Sequence, residues 1–182
     1  MEIRNARDKD FVDCVNIVRK AWPEFKERES IYHLFCKHFS DTSFIAEENG
    51  VTSGFLLGFL SQTYASQAYI HLVAVDPRYQ RRGFAKRLYK QFLDTAMTKG
   101  RSQVKLIVNP DNLASLEFHR KLGFSVQNEE STIDVCGIIS SRDYNGPGNH
   151  MVVFEKDLGA DTANIAAAMK EYNPDKTWSK AE

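Results

Sequence analysis

Asn112, Ser115 and His119 are spaced by three and four residues. On a helix they share one face, set between the apolar positions Leu116, Phe118 and Leu122. Such a row presents hydrogen-bonding groups, one of them titratable near neutrality, to a ligand or a reacting atom. A second stretch with chemical content runs Val73-Ala-Val-Asp-Pro-Arg-Tyr-Gln-Arg-Arg-Gly-Phe-Ala85. There an apolar run enters a turn at Asp76-Pro77, and the turn leads through a basic, glycine-bearing loop into a helical pattern. A loop of this kind aims backbone N–H groups at one point, at the positive end of a helix dipole. Its chemistry is anion holding, and a phosphate suits it. Gly83 lets a ligand approach the main chain, and the small Ala85 keeps the helix start uncrowded. Neither G-x-x-x-x-G-K-[ST] nor G-x-G-x-x-G occurs, so the two commonest nucleotide loops are excluded.

The elements that must position these residues read as an alternation of strands and helices. Glu2–Asn5 is a first strand, and Asp8 is placed to cap a helix through Phe11, Cys14, Val15, Val18, Ala21 and Trp22, ended by Pro23. A second helix covers Ser30–His38, with Ile31, Leu34, Phe35 and His38 on one side. Phe44–Glu47 and Thr52–Ser61 form a hairpin across Glu48-Asn49-Gly50. Gly54 and Gly58 within it mark a bend or the close packing of another backbone. Tyr69–Val75, almost continuously apolar, predicts a strand buried on both faces. The helix after the basic loop uses Ala85, Leu88, Tyr89, Phe92, Leu93 and Ala96 and stops at Gly100; Val104–Val108 is another buried strand. Strand, helix and strand in that order predict a right-handed crossover and parallel pairing. The helix carrying His119 ends at Gly123-Phe124, a glycine in the left-handed position and an apolar residue folding back. Strands from Ser125 to Ile139 and from Met151 to Glu155 follow, separated by the polar loop Ser140–His150.

Composition narrows the function. The 182 residues carry no formal net charge, so a general nucleic-acid binder is not expected. Against that neutral background the cluster Arg78, Arg81, Arg82, Lys86 and Arg87 stands out. Cys14, Cys36 and Cys136 are far apart and form no C-x-x-C pair, which argues against a disulfide framework or zinc knuckle. No secretory signal or bilayer-length apolar run is present, and the expectation is a reduced, cytoplasmic protein with no membrane partner.

The two stretches together, the one above and Asn109-Pro-Asp-Asn-Leu-Ala-Ser-Leu-Glu-Phe-His-Arg-Lys-Leu-Gly-Phe124, resemble the GNAT superfamily of acetyl-CoA-dependent N-acetyltransferases. The element order resembles it too, from the first strand to about Asp157. The resemblance implies an α/β fold: a central, mostly antiparallel mixed sheet with a splayed parallel pair and flanking helices. It implies one domain over residues 1–157, with 158–182 an extension holding a short helix and a loose end.

It also implies acetyl-CoA as co-substrate, no metal, an amine acceptor, and an assembly that can be a homodimer. By the same likeness Val73, Ala74 and Val75 would pair with the pantetheine arm, the N–H of Val73 holding the thioester oxygen. The amides of Arg81, Arg82, Gly83, Phe84, Ala85 and Lys86 would hold the pyrophosphate, with Arg81 or Arg82 reaching the ribose phosphate. Asn112 would hydrogen-bond the pantetheine arm, with Ser115 beside it.

The reaction implied is direct attack of an amine in a ternary complex, with Cys14 and Cys36 as packing residues and not nucleophiles. Many members carry tyrosine at the position of His119 as the acid for the sulfur, and some histidine; a histidine must be protonated to do that work, and the alternative is that it only orients the cofactor or a water. Some carry a glutamate base where this chain has Ile107, which leaves His71 as the leading base, with Glu47, Glu48 or a water chain as alternatives. His71 is expected on the strand face of Val73 and Val75. The segment Ser30–Thr42 resembles diaminobutyrate acetyltransferases, in which an acidic residue and a tyrosine bind the amine; Glu27 and Tyr32 match them. Three readings follow: an N-acetyltransferase for a small amine, one for a protein N-terminus or lysine, and a silent acetyl-CoA sensor.

Overall fold

The computed structural model describes residues 1–24, 29–127 and 130–159. Four helices, α1 (Phe11–Ala21), α2 (Glu29–His38), α3 (Phe84–Thr98) and α4 (Leu113–Lys121), flank a seven-stranded sheet. Its strands are β1 (Glu2–Asn5), β2 (Phe44–Glu48), β3 (Val51–Leu60), β4 (Gln67–Val75), β5 (Gln103–Val108), β6 (Ser125–Val126) and β9 (Val152–Asp157). Their spatial order is β1-β2-β3-β4-β5-β9-β6, and β7 (Thr132–Val135) with β8 (Ile138–Ser141) makes a separate hairpin. The pair β4–β5 is parallel and the other pairings are antiparallel. This is the expected mixed sheet, and the parallel pair follows from the α3 crossover.

Two apolar layers sandwich the sheet. On one face α3 and α4 bring Leu88, Phe92 and Leu116 against Leu56, Ile70, Leu106 and Phe154. On the other, α1 and α2 bring Cys14, Val18, Tyr32 and Phe35 against Ile45, Phe55, Leu57 and Ala74. Fully buried side chains such as Phe55 and Leu57 each contribute roughly 2 kcal/mol through removal of apolar surface from water. Close approach sets Gly58: a Cβ there would lie 2.4 Å from the Phe92 ring and 2.8 Å from the Tyr69 carbonyl.

Several local expectations change. Asp8 does not cap α1; a short 3-10 turn over Asp8–Asp10 precedes the helix, and the Asp8 carboxylate meets His33 of α2. The buried face of α2 is Tyr32, Phe35 and Cys36, while Leu34 and His38 are exposed. Both stripes satisfy helical spacing, and the neighbouring α1 and β3 select between them. The strand expected over Ser125–Ile139 is instead β6, β7 and the start of β8, with a tight turn at Cys136-Gly137, both with positive φ, between β7 and β8. Of the expected extension over residues 158–182, Leu158 is buried in the core, and residues 160–182 lie outside the described residues.

Candidate active site

The sheet opens at the parallel pair. The β4–β5 pairing runs only from Gln67↔Gln103 to Tyr69↔Lys105. Beyond it β5 stays on β9 to Val108, while β4 stays on β3 to Val75. The cause is a β-bulge. Leu57 pairs with Leu72 and Gly58 with Ile70, so His71 is an extra residue that bends β4 away. Leu72 and Val73 are accordingly half-buried, and the expectation of burial on both faces fails where β4 has lost a neighbour. Asp76 N–H donates to the Ser53 carbonyl at 2.9 Å, so by backbone alternation the N–H groups of Val73 and Val75 point away from β3 and into the opening. The Val75 carbonyl faces the same way and accepts from the Gln80 side chain at 3.2 Å.

The bulge also inverts the side-chain alternation. Ala68 and Ile70 before it, and Val73 and Val75 after it, pack on the α3 side; Leu72 and Ala74 pack on the α1–α2 side. His71 stacks on Phe35 of α2, with centroids 4.8 Å apart and planes at 8°. The expected shared face with Val73 and Val75 is therefore corrected: His71 lies on the opposite face.

At the open end of the splay stands the start of α3. Arg81 at φ 59° and Gly83 at φ 80° curl the backbone, and the first bond of the helical ladder runs from Arg87 N–H to the Gly83 carbonyl at 3.1 Å. The amides ahead of Arg87 point out of the helix end, as an anion site needs. The basic side chains are largely committed elsewhere. Arg78 makes two contacts to the buried Asp76, at 3.0 and 3.1 Å, and Lys20 reaches the same carboxylate at 3.3 Å. Hydrogen bonding from Arg78 holds the Asp76 carboxyl well below the usual range despite its burial. Arg82 pairs with Glu48, and Arg87 donates to the Met1 carbonyl. Arg81 is exposed.

On the far side of the opening Asn112 caps α4, its carboxamide oxygen accepting from Ser115 N–H at 3.1 Å. One turn on, His119 is 5% exposed among Tyr89, Phe118, Phe124 and Phe154. Burial pushes its basicity down to about 4, against a hydrogen bond to the Ser115 carbonyl that works the other way. Burial thus disfavours the charged ring that the acid role expected of His119 would require.

The side expected to receive an acceptor is framed by α2 and by the loop after β8. Phe35, Phe39, Phe59, Tyr69 and His71 form a run of adjacent rings. Burial first, and then the nearby Tyr144 of the loop, raise the Tyr69 phenol. Tyr32 is 2% exposed and packs edge-on against Phe55. Its expected contact with the acceptor is corrected to a place in the core. Glu27, its expected partner, lies outside the described residues. Glu47 receives two bonds from Arg4, at 2.6 and 2.9 Å, and Glu48 is held by Arg82, so both alternative bases are paired with arginines. Cys14 and Cys36 are buried against each other, and that contact with burial pushes the Cys14 thiol up. Among the described residues no cluster of three His, Cys, Asp or Glu is placed to hold a metal, and no helix is long and apolar enough to cross a membrane.

Sequence reasoning missed two elements of the site. One is Tyr89, read as a core position of α3, whose hydroxyl lies 2.6 Å from His119 Nε2. The other is the bulge, whose faint signals are a glycine, Gly58, in β3 and a polar residue, His71, in the apolar run of β4.

The model of the acetyltransferase (GNAT) family matches residues 11–124, and a family described as a protein of unknown function matches residues 148–181. The L-2,4-diaminobutyric acid acetyltransferase of Nocardia farcinica is 32% identical over 85 residues, 47% of this chain and 44% of that protein. The chain thus spans about half the length of the diaminobutyric acid acetyltransferases it matches. Ard1 from Thermoplasma volcanium superposes with a TM-score of 0.69 at 22% identity, covering 86% of this chain and 96% of that one. The diaminobutyrate acetyltransferase EctA from Paenibacillus lautus, in complex with L-2,4-diaminobutyric acid and coenzyme A, gives 0.66 at 19% identity, covering 86% and 95%. At these identities the structural likeness speaks for the fold.

Proposed function

The chain belongs to the acetyltransferase (GNAT) family, and from that premise we propose that it transfers the acetyl group of acetyl-CoA to the primary amine of a small, amino-acid-like acceptor. The observation that carries this reading is the opening between β4 and β5, with the Val73 N–H turned into it and the amides of α3 at its mouth. An extended thioester fits between the strands, and its pyrophosphate fits the amides from Arg81 to Lys86. Asn112 and Ser115 border the pantetheine arm from α4. The diaminobutyric acid acetyltransferases among its relatives support the acceptor class.

The amine nitrogen attacks the thioester carbonyl from the face that carries His71 and Phe35. His71 first takes the proton of the acceptor ammonium. The carbonyl oxygen gains charge as the C–N bond forms, and the Val73 N–H holds it; such a preorganised donor is worth about 3 kcal/mol. Collapse breaks the C–S bond and releases the CoA thiolate, and the nitrogen gives its remaining surplus proton to water as the neutral amide forms.

The test is release of free CoA thiol against a panel of diamino acids, simple amines, polyamines and peptides with free N-termini. Turnover of diamino acids ahead of peptides is expected. Turnover confined to peptides would replace this reading with protein N-terminal acetylation. Tight acetyl-CoA binding with no turnover across the panel would replace it with a sensor.

A further inference from the structure

Ser115, His119 and Tyr89 form one hydrogen-bonded chain from the first turn of α4 into the core. The Ser115 backbone carbonyl can only accept, and it lies 2.7 Å from His119 Nδ1, so that nitrogen carries a hydrogen. Ser115 Oγ lies 3.3 Å from the same nitrogen and shares it as a second acceptor. On the other side of the ring, Nε2 is 2.6 Å from Tyr89 Oη. Burial keeps the ring uncharged and also raises the Tyr89 phenol far above its ordinary value. With one ring hydrogen already on Nδ1, Nε2 accepts and Tyr89 donates.

Tyr89 is the titratable group among the rings packed on His119, since Phe118, Phe124 and Phe154 are inert. At the end of α4 the buried Lys156 of β9 brings its Nζ to 2.8 Å from where a Cβ on Gly123 would stand. A hydroxyl that accepts from an imidazole N–H has its own hydrogen to give elsewhere. Ser115 is half-buried and stands in the row with Asn112 that borders the opening.

We propose that Tyr89 is a positioning residue of the transfer site: its hydrogen bond to Nε2 holds the His119 ring in place, and the ring's Nδ1–H turns the Ser115 hydroxyl hydrogen toward the departing sulfur of CoA. Ser115 is then the catalytic residue that touches the sulfur, and it stabilises the thiolate by a hydrogen bond without giving up its proton. The proposal rests on the acetyl-CoA reading of the opening. It gives this chain a way to stabilise the leaving group without a protonated histidine.

The experiment needs no acceptor. CoA bound to the full chain is titrated by the ultraviolet absorbance of its thiolate, with desulfo-CoA as the blank, in the wild type, Ser115→Ala, Tyr89→Phe and the double variant. The bound thiol should titrate below free CoA, and each single variant should raise it by about one pH unit, tenfold in thiolate fraction. The double variant should add little to either single one, because the two act along one path. Long-range ¹H–¹⁵N spectra of labelled wild type should show His119 as the Nδ1–H tautomer. In Tyr89→Phe the Nδ1–H should persist, held by the Ser115 carbonyl, while the Nε2 resonance shifts as it loses its donor. A thiol that titrates alike in wild type and Ser115→Ala, additive shifts in the double variant, or an Nε2–H ring in the wild type would each overturn the proposal. A wild type that binds no CoA would instead overturn the acetyl-CoA reading on which it rests.

Discussion

Arg82 of the loop before α3 lies 2.8 Å from Glu48 at the end of β2, and its guanidinium covers the rings of Tyr79 and Phe84 at 5.4 and 5.5 Å. An arginine held this way braces the loop more than it grips a ligand. The backbone should therefore dominate binding of the pyrophosphate. Arg82→Ala should change the KM for acetyl-CoA by less than about threefold, since half-exposed ion pairs contribute little. Gly83→Ala forces a side chain into φ 80° at a cost of about 1–2 kcal/mol and should raise that KM about tenfold. Steady-state KM values for the two variants decide it, and the reverse order would return the holding to the side chain.

His119 links stability to pH. Its ordinary value is 6.5 and the folded chain holds it at about 4, so between those two values the unfolded chain binds the extra proton. Stability therefore rises with pH across that window and falls as pH drops through it, by at most about 3 kcal/mol. The depressed carboxyls of Asp10 and Asp76 act separately, below their ordinary 3.8. Urea unfolding at several pH values should show this slope in the wild type and a flattened one in His119→Gln.

Arg4 ties β1 to both the buried Asp10, at 2.6 and 3.0 Å, and Glu47 of β2. Removing the guanidinium leaves Asp10, 3% exposed, with the Arg7 N–H at 2.7 Å as its remaining hydrogen-bond donor among the described residues. Arg4→Met should cost about 3–5 kcal/mol near neutral pH, as expected when one partner of a buried pair is lost. Thermal unfolding would register the change, and Arg4→Met with Asp10→Asn should recover part of it.

In the proposed reaction His71 is the base on the acceptor face. His71→Phe keeps a ring against Phe35 and should lower kcat/KM about 10²-fold. An unchanged kcat/KM would pass the base role to solvent.

The wall of an active site is harder to read than its floor. The α3 loop and the α4 row are contiguous in the chain, so residue type and local spacing were enough to place Gly83, Asn112, Ser115 and His119. The α2 stripe was misread because Leu34 and Phe35 satisfy the same helical spacing, and only the surface beneath decides which is buried. Tyr32 went into the core for that reason.

The amino-acid sequence by itself determined the elements, their order, the parallel crossover and the amide loop, because each rests on local backbone preferences and apolar periodicity. Tertiary structure alone decided the bulge at His71, which moves the histidine to the opposite face and opens β4 from β5. It also decided that Tyr89 reaches His119. Both depend on which residue lies across from which, and strand register and helix packing are set by distant partners that local pattern does not encode.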